Sequence, residues 1–408
     1  MFTTLEALHQ AIVANPEDRT VRLVYADALD ESGDKADAVR AEFIRTQINQ
    51  EAAPVVMPFH LSVRRIPELF EEHWPHWWRP VCEAAGLPLP YVPRRRLRDR
   101  IVRTVGRELQ PAHWPYLHTE NDTSVHLGGM SFRFSGGFPE EVRFLHMDPV
   151  EKVPDIVHRW GDAIPLVRLA FAFTIEPVQW ERVAGSHLAR LTELTFDSLL
   201  SNTAMLVTGS EHLAAVTKLT VNPVGANADT IHFLARARAW PKLRSLCFSG
   251  RLNPDAVRDL AVNCHHEHLE ELDMLIGTPG LFGGVVAQAL TDVIRMFTQS
   301  VVFPGAAIVQ WTDFGPAFLA LAAAPWVRKL RRLRVSADSP NGIIGLLGER
   351  LYGTAERAAD LIPDAAVYSL VNALNPDVLE KLSLPGAIIG PSVREELMSQ
   401  FGNRVMFV

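Results

Sequence analysis

The sequence predicts an α/β protein in which a small all-helical segment precedes a solenoid with one parallel strand and one helix per repeat. Three observations predict this class. An apolar-x-x-apolar-x-apolar phrase recurs through residues 131–408, and helical stretches lie between its copies. The first fifty residues show helical spacing and lack the phrase. The predicted domains are therefore 1–51, 52–130 and 131–408.

Length and composition fit a folded protein of this kind. The chain has 408 residues, of which 48% are hydrophobic and 21% charged, and its formal net charge is −7. These values allow a large buried core and disfavour a generally basic nucleic-acid coat. Three cysteines without a CxxC motif indicate a reducing compartment. No signal peptide and no long apolar run is visible, so we expect a cytoplasmic protein without a membrane partner.

Residues 1–51 are predicted to form three short helices. Thr3 and Glu6 make a candidate capping box, and Pro16 ends the first helix. The second helix stops near Gly33. Acids cluster at its end (Asp27, Asp30, Glu31 and Asp34), but their spacing lacks the ligand loop of calcium sites. We therefore predict a solvated helix end, with Asp27 paired to an arginine of the third helix.

The run VRLVYADALDESGD, followed by AEFIRTQ, resembles the LRLVYADWLEERGD…EFIRLQ pattern of the repeat-companion domain. That small helical module recurs in certain bacteria, typically ahead of leucine-rich-like repeats. The Tyr25-Ala26-Asp27 core, the Gly33-Asp34 turn and the segment from Glu42 to Arg45 match in order, whereas Ala28 stands where the family usually has Trp. The resemblance implies a helical module over about residues 1–50 and implies no activity.

Residues 52–130 are predicted to form a helical connector with one basic stripe. In RRRLRDRIVRTVGREL (94–109), helical geometry puts four arginines on one side and apolar residues on the other. The four are Arg96, Arg100, Arg103 and Arg107. Three roles are open to them: a solvated face, docking against the acidic first fifty residues, or contact with an external polyanion such as nucleic acid.

Three tryptophans precede this stripe at helical spacing, namely Trp74, Trp77 and Trp78. Such a triplet can stack nucleobases, but it more often forms the core of a small helical cluster. We therefore predict that the tryptophans are core residues.

Eight copies of the repeated phrase can be aligned on a central leucine. These leucines are Leu145, Leu169, Leu194, Leu219, Leu246, Leu272, Leu333 and Leu382. The first five intervals are 24, 25, 25, 27 and 26 residues, a period typical of leucine-rich repeats. Each copy is predicted to be one strand of a parallel sheet. The last intervals, 61 and 49, leave two alternatives around 276–325 and 340–375: hidden repeats or insertions.

Between the phrases lie helical stretches. In the stretch 253–264, Asn253 is predicted as the N-cap and Pro254 as the first helical residue. The strand–loop–helix–loop unit resembles a leucine-rich-repeat solenoid. FSGGFPEEVRFL (134–145) and EELMSQFGNRVMFV at the other end resemble the first strand and the closing cap of repeat-companion proteins.

Residues between the leucines are predicted to face the concave side of the solenoid, the surface on which such arrays usually bind. The predicted partner-binding residues are Glu193, Thr195, Lys218, Thr220, Arg244, Glu271, Asp273, Arg332 and Arg334. An acidic rung at 270–273 precedes a basic rung at 331–334. This order predicts a bipolar ladder that suits a protein partner with complementary charges.

The sequence contains no motif that predicts catalysis. HExxH, GxSxG, GxGxxG and GxxxxGK[ST] are absent. Cys264, His265, His266 and His268 are neighbours without a distant second pair, so we predict a polar turn rather than a zinc site. Cys247 has no activating base beside it and is predicted to be an incidental thiol. We expect a non-catalytic scaffold without cofactor or metal, bound to another protein. A nucleic-acid-associated regulator that uses the arginine stripe is the alternative.

Overall fold

The computed structural model describes residues 4–52, 124–127, 130–145, 153–223, 228–276, 313–337 and 362–407, together with Leu69, His73 and Trp77. The chain is α/β, with an N-terminal helical module and mostly parallel strands. It forms two compact units, the first from 1–173 and 178–192, the second from 174–177 and 193–408. The first unit therefore combines the helical module with the first strands.

The helical module has the three predicted helices, which are α1 (Thr4–Ala14), α2 (Arg19–Glu31) and α3 (Lys35–Ala52). The Asp18 carboxylate caps α2 by accepting hydrogen bonds from the first free amides of the helix. Gly33 follows α2 with a φ of 73°, a conformation that glycine adopts without strain. Thr3, half of the predicted capping box, lies outside the described residues.

The acidic end of α2 is paired as predicted. Arg45 on α3 donates to Asp27 at 2.7 Å and to Asp30 at 2.5 Å. The two ion pairs join α2 to α3 at the surface of the module, and they confirm the predicted partner of Asp27. The arginine stripe at 94–109 lies outside the described residues.

Trp77 is buried and its ring lies 4.7 Å from that of Phe43 on α3. This contact confirms the core prediction for Trp77. Trp74 and Trp78 lie outside the described residues.

Four strands belong to the first unit, in the order β1 (Ser124–Leu127), β2 (Met130–Ser135), β3 (Phe138–Phe144) and β4 (Arg168–Phe171). β1, β2 and β3 pair antiparallel, and β3 pairs with β4 in parallel. Helix α4 (Val153–Ala163) connects β3 to β4, and α5 (Pro177–Val183) follows β4.

The first copy of the repeated phrase is placed three residues earlier than predicted. Val142, not Leu145, lies opposite Leu169, and Phe144 lies opposite Phe171. Val142 and Phe144 are fully buried, whereas Leu145 comes after β3 and is half-buried. The apolar residues of this segment fit the phrase either with Leu145 or with Val142 at the central position. In the structure Val142 takes that position, and the Phe144 ring is buried.

The turn between β2 and β3 packs against the helical module. Gly136 and Gly137 have positive φ, and a Cβ on Gly137 would lie 2.1 Å from the Ile44 side chain. The Gln47 side chain accepts from the Gly137 amide at 2.6 Å. Phe138, the first residue of β3, belongs to the core of the module. The two glycines therefore let the hairpin approach α3 at a distance that no other residue allows.

A buried ion pair joins α2 to β3. Arg22 pairs with Glu140, and both side chains are less than a tenth exposed. Arg22 also donates to the Ser135 carbonyl at 3.0 Å and to the Pro16 carbonyl. A pair removed from water in this way holds its geometry because either charge alone would be left without compensation.

The second unit contains seven described strands, which pair in parallel and in chain order. They are β5 (Glu193–Leu199), β6 (Lys218–Pro223), β7 (Ser245–Leu252), β8 (Glu271–Ile276), β9 (Arg332–Ala337), β10 (Lys381–Leu384) and β11 (Val405–Phe407). The helices between them are α6 (Ser201–Thr208), α7 (Ala228–Ala235), α8 (Pro254–Asn263), α9 (Phe314–Ala323), α10 (Asp364–Ala373) and α11 (Pro391–Phe401). Helix α8 is capped as predicted, since Asn253 accepts from the Ala256 amide at 2.8 Å.

The central leucines of β5 to β10 lie side by side in one row across the sheet. The row is Leu194, Leu219, Leu246, Leu272, Leu333 and Leu382, and each member is at most 2% exposed. Burial of a leucine side chain contributes about 1.5–3 kcal/mol. The prediction that each of these phrases is one strand of a parallel sheet is confirmed.

The two long intervals add no strand to this row. β8 pairs directly with β9, and β9 pairs directly with β10. The chain between these strands is therefore inserted relative to the repeat, and the hidden-repeat alternative is wrong for the sheet. Within the described part of the chain, none of the helices is long and apolar enough to cross a membrane.

We predict that Gly137→Ala destabilises the first unit by about 2–4 kcal/mol, since positive φ and the contact with Ile44 both oppose a Cβ. Gly33→Ala is the matched control, because Gly33 has positive φ and open space around it. It should cost only about 1–2 kcal/mol. Denaturant unfolding measures both, and equal losses would show that the hairpin contact is unimportant.

We predict that Arg22→Met or Glu140→Gln lowers the free energy of unfolding by about 3–5 kcal/mol, because each leaves a buried polar group without its partner. The double variant that combines Arg22→Met with Glu140→Gln should cost less than the sum of the two single changes. Arg45→Met, at an exposed pair, should cost under about 1 kcal/mol. Strict additivity in this double-mutant cycle would contradict the role given to the buried pair.

Candidate functional site

The second unit exposes one face of its sheet, and the strand register arranges that face in rows. The first row runs across the sheet through Glu193, Lys218, Ser245, Glu271, Arg332 and Lys381. The second row runs through Thr195, Thr220, Cys247, Asp273, Arg334 and Ser383. All are half-buried or exposed except Ser383, which is buried. The side chains alternate with the buried leucines because neighbouring residues of a strand point to opposite faces.

The structure brings eight of the nine predicted partner-binding residues together on this face, in the first and second rows. Arg244 lies one residue before β7, in what we call the leading row, which consists of Arg244, Glu270, Arg331 and Glu380. Sequence reasoning did not single out Glu380, although it follows Leu379 as Arg331 follows Leu330.

Backbone hydrogen bonds fix the leading row at strand spacing. The amide of Glu270 donates to the Arg244 carbonyl at 2.8 Å, and the amide of Arg331 donates to the Glu270 carbonyl at 2.7 Å. Glu380 donates in the same way to Arg331 at 2.8 Å. Each carbonyl also accepts from the following residue of the neighbouring strand, as Arg244 does from Glu271. The four residues are therefore one strand apart, about 4.7–4.9 Å.

The acidic rung on β8 lies directly beside the basic rung on β9. Because β8 and β9 are neighbours, the acidic and basic rungs neutralise each other. Glu271 pairs with Arg332 at 2.9 Å and Asp273 pairs with Arg334 at 3.5 Å. The interval of 61 residues concealed this adjacency in the sequence.

Further ion pairs continue along the leading row and the first row. Arg244 lies 3.4 Å from Glu270, which lies 3.7 Å from Arg331, and Arg331 pairs with Glu380. The guanidinium of Arg331 lowers the pKa of the Glu380 carboxyl by hydrogen bonding. Lys218 lies 3.5 Å from Glu193 in the same fashion. The leading row thus alternates in sign from strand to strand, whereas the first row has Ser245 on β7 and ends in two bases, Arg332 and Lys381.

Cys247 is the nucleophilic residue of the second row, and its surroundings suppress its reactivity. Burial raises its pKa to about 11, and the charge of Asp273 adds to the effect. A thiol with this pKa is protonated at neutral pH. The environment is that of an incidental thiol, not of an activated nucleophile.

A shallow depression of about 370 Å³ adjoins the leading row. Its walls include the side chains of Glu270 and Arg331, and its apolar lining comes from Leu269 and Val378. Val378 is 36% exposed. The depression offers room for an apolar group of a ligand next to the alternating charges.

The turn after α8 does not gather its histidines. Cys264 and His266 are buried, and the His266 Nε2 lies 2.8 Å from the Leu234 carbonyl oxygen. The His266 ring also stacks on Trp240. Within the described part of the chain, no group of three or more histidines, cysteines or acids is placed to hold a metal ion.

Comparisons with known proteins add no family or relative: no protein-family model matches the chain, and no curated protein matches it significantly. The resemblance to the repeat-companion domain therefore stays a prediction from the residues.

Stability should fall in mild acid because of His266. Burial lowers the pKa of His266 below the ordinary value of 6.5. Folding therefore favours the neutral ring, and its contribution is complete above about pH 6.5 and declines as the pH falls below that value. His266→Gln should remove this part of the pH dependence in denaturant titrations between about pH 5 and pH 8, the range in which histidine titrates.

The matched control is His265→Gln, because His265 belongs to the same turn and is exposed. It should leave most of the pH dependence in place, because burial is the largest cause of the lowered pKa of His266 and the charge of His265 is a smaller one. If both variants follow the wild-type curve, burial of His266 does not set the acid limit of the second unit.

Proposed function

We propose that the chain is a non-catalytic interaction scaffold, a leucine-rich-repeat-like solenoid that binds another protein on the concave face of its sheet. The helical module at its start is proposed to be a repeat-companion module. In this proposal the leucine row supplies the rigid frame, and the first, second and leading rows supply the contacts.

The row of in-register leucines supports a solenoid. A strand and a helix of one repeat cannot bury their apolar faces alone, so stability comes from stacking neighbouring units. The six aligned leucines and the intervening helices have this organisation. Insertions between β8 and β9 and between β9 and β10 leave the stacking intact.

The mixture of acids and bases on the exposed face favours a protein as the partner. The three rows contain six bases, which are Lys218, Arg244, Arg331, Arg332, Arg334 and Lys381. They contain five acids, which are Glu193, Glu270, Glu271, Asp273 and Glu380. A polyanion lying along this face would meet acids beside the bases, whereas a protein surface can present both signs.

The ion pairs of the face leave its charges available to a partner. Exposed pairs such as Lys218–Glu193 and Arg334–Asp273 contribute only about 0–1 kcal/mol each. Incoming charges can therefore compete with them at little cost. The same pairs restrain the side chains before binding, which lowers the entropy lost when a partner docks.

The nucleic-acid alternative depends on Arg96, Arg100, Arg103 and Arg107, which helical spacing predicts to lie on one side of a helix. Binding through four phosphate contacts should weaken with salt at a logarithmic slope of about −3 to −4. Replacing the four arginines with glutamate should abolish it. A fluorescent oligonucleotide titrated between low and physiological salt separates this alternative from the scaffold.

The scaffold proposal is tested by exchanging charges across two strands. The variant combines Glu271→Arg with Arg332→Glu and Asp273→Arg with Arg334→Asp. The pairing between β8 and β9 and the net charge are retained, whereas the Arg332–Glu380 contact at 3.4 Å becomes a contact between like charges. That pair is exposed, so the thermal midpoint should fall only slightly below that of the wild type. The pattern shown to a partner is inverted, and we predict at least a tenfold weaker Kd, about 1.4 kcal/mol.

The experiment captures partners from the native host and then measures the Kd of the purified partner for each form. The matched control exchanges Asp255 and Arg258, an exposed pair on α8 away from the sheet face. This control should bind as the wild type does. Equal affinities for the wild type and the sheet-face variant would exclude the concave face as the binding surface.

A further inference from the structure

We infer that the leading row docks an α-helix of the partner protein, which crosses strands β7 to β10 and carries acidic and basic side chains in alternation, one per turn. The inference rests on the proposed interaction function and names the kind of partner. Its basis is the order of the charges Arg244, Glu270, Arg331 and Glu380, which changes sign at every strand.

The spacing between neighbouring strands matches the spacing of side chains along one side of an α-helix. The four residues span three strand intervals, about 14 Å in total. Side chains at i, i+3 and i+4 on a helix rise about 4.5–6 Å, so ten or so residues, about three turns, follow the row in register. An extended strand repeats its side chains about every 6.6 Å and loses register by a whole strand over the same length.

Because the charges of the leading row alternate in sign, the docked helix must carry charges that alternate in the opposite order. Such a helix places glutamate opposite Arg244 and lysine opposite Glu270. It repeats this order at Arg331 and Glu380, so every residue of the row faces the opposite charge. A uniformly acidic or basic helix is attracted at two strands and repelled at the other two. The side chains of the row are about one-third to two-thirds exposed, so each can accept a second partner on its open side.

The depression beside the row adds an apolar anchor point. Val378 and the buried Leu269 line it together with the charged residues Glu267, Glu270, Lys329 and Arg331. A leucine or methionine between two charged turns of the docked helix would fill this space and remove the exposed Val378 surface from water. The complementary ligand is therefore a helix with alternating charges and one central aliphatic residue.

Two designed peptides of identical composition test the inference. Both are helix-stabilised, carry one central leucine, and place two glutamates and two lysines on one face. In the first peptide the signs alternate from turn to turn, and in the second the like charges are adjacent. Fluorescence anisotropy with the full chain should give a Kd about tenfold lower for the alternating peptide. The preference should vanish at about 1 M salt, where the screening length is near 3 Å.

An exchange within the row makes the test sharper. Glu270→Arg combined with Arg331→Glu leaves the net charge unchanged and places like charges on neighbouring strands. This variant should prefer the peptide with adjacent like charges by about the same factor. The Asp255/Arg258 exchange should keep the wild-type preference. Circular dichroism checks that all forms are folded and that the two peptides are equally helical.

The apolar anchor is tested by Val378→Asp, which should weaken binding of the alternating peptide about tenfold without changing its preference over the second peptide. Met398→Asp is the control, since Met398 is an exposed apolar residue of α11. Equal affinity of both peptides for the wild type, an unchanged preference after the exchange, or no binding of either peptide would each overturn the inference.

Failure here is distinguishable from failure of the proposed function. A natural partner that loses affinity through the Glu271/Arg332 and Asp273/Arg334 exchanges would uphold the scaffold, even if neither peptide binds. In that case the partner would contact the face with something other than a charge-alternating helix.

Discussion

The parallel register of the leucine row determines every other feature of the second unit. Once Leu194, Leu219 and Leu246 stand opposite one another, the residues on either side are also aligned, and all of them face away from the helices. The exposed rows are thus a by-product of burying the leucines. A slip of one residue would exchange the two faces and bury the acids and bases, which a folded chain cannot tolerate without compensation. Core packing therefore defines the surface pattern.

Sequence reasoning was most successful where one residue type repeats under a geometric constraint. Seven strands carry their predicted central leucine, and eight predicted surface residues lie in the first and second rows. It misplaced the first copy because Val142 and Phe144 fit the same apolar spacing as Leu145. It left open whether a hidden repeat stands between the acidic and the basic rung, which the sheet makes neighbours, since an interval in sequence does not reveal which strands pair.

The contacts between the N-terminal helical module and the β2–β3 hairpin could not be predicted from a repeated sequence pattern. Arg22 and Glu140 are far apart in the chain, and neither differs in sequence context from an exposed residue. The double glycine at 136 and 137 lies in a stretch that was predicted only as the first strand, and its contacts with Arg22 and Ile44 had no signal in the sequence. Pairing of Arg45 with Asp27 could be anticipated because both lie on adjacent helices of a short hairpin. Contacts between residues close in the sequence can be predicted from it, whereas contacts between distant segments become evident only in the structure.

Direct pairing of β8 with β9 has a consequence for how the chain can vary in length. Ile276 and Ala337, the last residues of these strands, lie opposite each other. Both inserted stretches thus leave the sheet from neighbouring points on the same edge. Lengthening a connection there adds only a slowly rising closure entropy and leaves strand spacing untouched. The architecture therefore provides a pair of adjacent graft points where foreign sequence can be introduced without disturbing the scaffold.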